Sequence, residues 1–188
     1  MQPLQACLVN QGATQRLLGH KSQPTVEGPD GLAQVIVARQ ERSRLLVGSY
    51  LVDFWCLGVK DTIPPRKMGE REYELFCESC VRQFNQDFVS ISLEDAQAIV
   101  YGAVDYARKL GSEPHQDFNT KAQAHLGLPP DNLRPLEFGK DGKPFFISGP
   151  YDDAAQVIRT LEASVGKDNF HVLAGLGGLD PDDMMFLE

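Results

Sequence analysis

Between residues 34 and 62 the chain reads QVIVARQERSRLLVGSYLVDFWCLGVKDT, with two apolar runs separated by the polar residues Glu41, Arg42, Ser43 and Arg44. Two β-rich runs joined by a few polar residues predict an antiparallel hairpin. The second run, 45–59, is apolar on both side-chain parities. Leu45, Val47 and Leu51 fall on one, and Leu46, Tyr50, Val52 and Phe54 on the other. A strand with one wet face would alternate, so this run is expected inside a sheet with both faces covered. It carries Asp53, a carboxylate that in such a place must find partners or lose its charge.

Other segments read in the same way. Residues 6–10 (ACLVN) predict a short strand, and the Gly- and Pro-rich stretch 19–31 predicts a loop. Ile63-Pro64-Pro65 is expected to end the hairpin, because proline has no N–H for a ladder and turns its predecessor away from helix. Over 70–84, Tyr73, Phe76, Cys77, Cys80, Val81 and Phe84 recur at helical spacing, opposite Glu70, Glu74 and Glu78. Over 92–110, Ser92 and Asp95 form a capping box, and Ala96, Ile99, Val100, Ala103, Ala107 and Leu110 make the buried stripe. Arg108 and Lys109 suit the negative end of that helix, and Gly111 stops it. Asp117 is expected to cap a third, shorter helix through Leu126, closed by Gly127. Residues 136–138 and 144–148 flank Lys140-Asp141-Gly142-Lys143, a hairpin signal, with Pro144 marking an edge strand. Asp152 or Asp153 caps a helix carrying Val157, Ile158, Leu161 and Val165, stopped by Gly166, and 169–174 form a last strand.

Strands that come as hairpins, with helices grouped between and after them, predict an α+β fold. The sheet is expected to be mixed or mainly antiparallel, with three to four helices packed on it. Residues 1–175 read as a single domain. Residues 176–188 read as a flexible acidic tail with an apolar tip, Met184, Met185, Phe186 and Leu187.

A length of 188 residues with 42% hydrophobic content suits one domain with a real core. No apolar run approaches the ~20 residues of a spanning helix. The start, MQPLQACLVNQG, lacks the charged and apolar regions of a signal peptide. The expectation is a soluble, cytoplasmic protein whose four cysteines, Cys7, Cys56, Cys77 and Cys80, are free thiols. The net charge of −8 argues against bulk nucleic-acid binding. Residues 152–188 hold eight acids and two bases, which leaves the main body nearly balanced. A basic turn with Arg39, Arg42 and Arg44 therefore stays open as a nucleic-acid contact, although solvated loop charge is the simpler reading.

The candidate chemistry is sparse. Cys77-x-x-Cys80 has the spacing of half a zinc site, but both thiols fall on the apolar face of a helix with no second pair. Asp53, Cys56, Lys60 and Asp61 form D-x-x-C-x-x-x-K-D. A kink at Gly58 would bring Asp53 and Lys60 together, as a tuned general base or as an ion pair at a sheet end. The ion pair is the favoured reading. His115 and Asp117, in GSEPHQDF, suit an acid–base pair or metal ligation, against capping by Asp117 and a solvated His115. Asp152 and Asp153 make a helix start too acidic for phosphate, and a cation there would need a third ligand from elsewhere. The glycines from Gly175 onward lack the following helix of a phosphate loop. No nucleophile-elbow, zincin, P-loop or kinase signature is present.

The segments YLVDFWCLGVKD, YGAVDYARKLG and FGKDGKPFFISGPYDD resemble a group of bacterial proteins of no assigned activity, over about residues 33–172. The resemblance implies a bacterial or phage-like origin and a single domain, and carries over no site residue. The reading that follows is a non-catalytic module for a protein or small-molecule partner, with the tail as a route to homo-oligomers. No cofactor or metal is assigned. The alternative is a hydrolase-like enzyme with Asp53, Lys60, His115 and Asp117 in one cleft. It requires the 92–110 helix to deliver His115 to the end of the central strand. Nucleic-acid handling through the turn at Arg39, Arg42 and Arg44 is a second alternative. Whether the protein is an enzyme is left open.

Overall fold

The computed structural model describes residues 2–20 and 30–173. Most of the 19–31 loop, Ala174, the glycines from Gly175 onward and the 176–188 tail lie outside them. The expected hairpin is present. Strands β2 (Leu32–Glu41) and β3 (Arg44–Asp53) pair antiparallel from Leu32 opposite Asp53 to Glu41 opposite Arg44. β1 (Leu4–Asn10) adds to the free side of β2, and β4 (Gly58–Met68) to the free side of β3. A short β5 (Phe88–Ser90) pairs with β1, giving the antiparallel order β4-β3-β2-β1-β5. The fold is α+β, as the element order predicts.

The run 45–59 is not one strand. β3 stops at Asp53, residues 54–57 turn, and β4 begins at Gly58. Asp53 Oδ1 accepts the N–H groups of Trp55 and Cys56, each at 2.9 Å, a side-chain mimic of a backbone turn. Gly58 completes the reversal at φ 68°, in the left-handed region that glycine enters without strain. β3 itself is covered on both faces as expected: Tyr50 and Val52 join one core cluster and Val47 the other.

Ile63-Pro64-Pro65 does not end a strand either. β4 continues to Met68, with both prolines opposite the single residue Gly48 in a bulge. β4 is an edge strand, where a missing ladder N–H is tolerated.

Four of the five helices among the described residues clothe the two faces. α2 (Glu70–Phe84) lays Tyr73, Phe76, Cys77 and Cys80 against Ile36, Ala38, Val47 and Met68. The opposite face is covered by α1 (Gln11–Leu17), α3 (Leu93–Lys109) and α4 (Thr120–Leu126). α2 and α3 have the predicted extents, and α3 is capped by Ser92 through the Asp95 N–H at 3.0 Å. α4 starts later than predicted. Asn119, not Asp117, caps it, accepting from the Lys121 and Ala122 N–H groups. Asn119→Ala is therefore expected to lower stability by about 1 kcal/mol in urea unfolding, whereas Asp117→Ala leaves the cap intact. α4 is also tied to the sheet, where Tyr50 Oη donates to the Ala122 carbonyl at 2.8 Å.

α5 (Ala154–Val165) is capped by Asp153, which accepts the Gln156 N–H at 2.9 Å. At Asp141 and Gly142 the chain makes the expected tight turn, with φ 54° and 78°. Its arms do not form a hairpin beyond one bridge, Lys140 to Lys143. Their backbone donors go elsewhere: Gly139 N–H to the Phe54 carbonyl at 2.9 Å, and Phe145 N–H to that of Trp55 at 3.1 Å. β6 (Phe145–Ile147) pairs in parallel with β7 (His171–Leu173) instead. All four cysteines are free, and among the described residues no helix is long and apolar enough to cross a membrane.

A candidate site at the outer edge of the sheet

The 54–57 turn sets the positions of Lys60 and Asp61 two and three residues into β4. Lys60 Nζ donates to Asp152 Oδ2 at 2.7 Å, and the Gly149 N–H donates to the same oxygen at 2.8 Å. Of the two acids before α5, Asp153 caps the helix and Asp152 holds the lysine. Between β4 and α5 lies a cleft of about 390 Å³, lined among others by Val59, Lys60, Ser112, His115, Asp152 and Thr160.

His115 arrives from the loop after α3. Its N–H donates to the Val59 carbonyl at 2.8 Å, so the loop docks on the outer edge of β4. The 92–110 helix thus delivers His115 to the edge strand and not to the end of β3. The imidazole Nδ1 lies 3.8 Å from Asp61 Oδ1 and 3.8 Å from Asp117 Oδ2. The Asp117 N–H donates to Nδ1 at 3.3 Å, which makes that nitrogen an acceptor. No proton is left on it for either carboxylate to orient, so this arrangement is not an Asp–His relay.

Asp53 stands apart. It is 6% exposed and lines a separate cavity of about 290 Å³ with Leu32, Trp55, Lys60, Phe145 and Ser148. Burial pushes its carboxyl up from 3.8 to about 6, against the opposing pull of the Cys56 N–H and the Lys60 charge. Burial also lifts the neighbouring Cys56 thiol to about 12, which keeps it protonated and unreactive. Of the four residues expected in one cleft, Lys60 and His115 share it. Asp117 meets His115 together with Asp61, and Asp53 serves the turn. Lys60 lines both cavities. Neither the place of Asp61 beside His115 nor the pairing of Asp152 with Lys60 is marked by a motif in the sequence. The available signal for Asp152 was the doubled acid at a helix start, since only one can cap.

The basic turn is less basic than it reads. Arg39 is buried, and its Nε donates to the His125 carbonyl at 2.7 Å, at the C-terminal end of α4. Arg42 and Arg44 remain exposed. Cys77 and Cys80 face the second core cluster, and burial raises both thiols, Cys80 to about 11.

Fold and cleft together describe an α+β protein with a polar hollow beside an edge strand. Compared with known proteins, the chain matches no family model, no curated protein and no solved structure.

Proposed function

We propose that this protein is a binding module for a small amine-bearing molecule, held in the cleft between β4 and α5. The observation that carries this reading is the charge of the cleft walls. Among the described residues that line it, the one Lys or Arg side chain, Lys60, is already paired with Asp152, and Glu113 is paired with Arg108, which leaves Asp153 as surplus acid. An anion would meet net repulsion there, and an amine net attraction. Tyr151, 99% exposed at the rim, offers an aromatic face to the same kind of ligand. Free thiols and the segment resemblance support a bacterial cytoplasmic setting.

The test is ligand-observed NMR on the full chain with a panel of alkyl amines, phosphates and neutral sugars. Amines are expected to show saturation transfer, and Thr160→Trp, which fills the cleft, is expected to weaken it at least tenfold. A preference for phosphates, or binding untouched by that variant, would overturn the reading. A hydrolase-like role remains the second reading. What supports it is the grouping of Asp61 and Asp117 around His115, which lines the cleft; acting without a relay, it would proceed by metal-assisted attack of water.

A further inference from the structure

We propose that Asp61, His115 and Asp117 bind a divalent transition-metal cation at the outer edge of β4. Three ligand atoms, one imidazole nitrogen and two carboxylate oxygens, lie within 4.8 Å of one another. Metal–ligand bonds of ~2.1 Å in tetrahedral geometry place ligand atoms about 3.4 Å apart, close to the 3.8 Å from Nδ1 to each carboxylate. The 3.8 Å spacing is too long for a hydrogen bond. Nδ1 has one lone pair, which the Asp117 N–H meets in a long contact of 3.3 Å, so a bound cation would take that lone pair in place of this contact. Among the described residues, neither Asp61 nor Asp117 has a Lys or Arg ion-pair partner.

The donor set narrows the ion. Imidazole with carboxylates suits Zn²⁺, Mn²⁺ or Fe²⁺, while Ca²⁺ and Mg²⁺ favour all-oxygen shells. The ligands come from two segments, β4 and the loop after α3, pinned together by the His115 N–H to the Val59 carbonyl. Three protein ligands on a half-exposed rim leave coordination positions for water or for an oxygen of a bound molecule, the open arrangement of a reactive rather than a structural site. The inference does not depend on what the neighbouring cleft holds.

Mn²⁺ is the discriminating probe, because it has little affinity for the thiols of Cys77 and Cys80. Metal-stripped full-length protein is titrated with Mn²⁺, followed by electron paramagnetic resonance and by paramagnetic broadening of backbone amides. One equivalent is expected to bind, with broadening centred on Asp61 and residues 115–118. Asp61→Asn and His115→Ala are each expected to weaken binding at least tenfold, and Glu72→Gln, exposed on α2, to leave it unchanged. Circular dichroism of each variant separates loss of ligand from loss of fold. No binding by the native chain, broadening centred on Asp152 and Asp153, or binding retained by a folded His115→Ala variant would overturn the proposal.

Discussion

Asp53→Ala is expected to destabilise the protein by about 2–5 kcal/mol in urea unfolding at pH 4. The substitution strips the acceptor from two buried N–H groups, those of Trp55 and Cys56, and each orphaned donor costs ~1–3 kcal/mol. Asp53→Asn keeps an oxygen in the same place and should separate the hydrogen bonds from the charge. The charge has its own signature in pH. Folding raises this carboxyl from 3.8 to about 6, so the native state holds the proton that the unfolded chain releases first. The contribution of Asp53 to stability is full below pH ~4, falls as pH rises, and is lost above ~6. At ~1.4 kcal/mol per unit, the loss is at most about 3 kcal/mol. Asp53→Asn has no such titration, so it should gain on the native protein by up to that amount between pH 4 and pH 7. A difference that stays flat over this window would show that the carboxyl titrates normally.

Gly58→Val is expected to cost ~4 kcal/mol, enough to abolish folding in a marginal background. The residue sits at φ 68°, where a β-branched side chain is strained by ~1–3 kcal/mol. Its Cβ would also lie 2.8 Å from Ala107 Cβ and 2.9 Å from the Ala103 carbonyl oxygen. Neither neighbour is the end of a flexible side chain, so α3 must shift, an overpacking cost of ~1–3 kcal/mol. Thermal unfolding of Gly58→Ala, the milder variant, measures the strain with the least added bulk. An unchanged melting temperature would mean that the turn is not held as described.

Much of the scaffold is legible in the amino-acid sequence. α2 and α3 are long enough for a full apolar stripe, and α3 carries its own cap and stop. The β2–β3 hairpin has a polar turn between two β-rich runs. The next reversal escapes because its residues, Phe54, Trp55 and Cys56, are buried. A turn sealed by α3 and the 139–145 segment has no need of polar side chains, and only Asp53 and Gly58 betray it. α1 spans seven residues and shows too few apolar positions to establish a period. The site is less legible still. Lys60 meets Asp152 across 92 residues, and His115 reaches β4 through a backbone hydrogen bond that no side chain announces. Asp117 reads as a helix cap until Asn119 is seen to hold that position.

The claim on which the functional reading turns is that ligands meet this protein at the outer edge of β4, and that the buried Asp53 shapes that edge without touching them. An amide chemical-shift map of the full chain, recorded as an alkyl diamine is added, tests it most directly. Lys60, Ser112, His115 and Gln156 are predicted to move together along one binding isotherm. Shifts confined to Leu32, Trp55 and Phe145, around the cavity that holds Asp53, would contradict it.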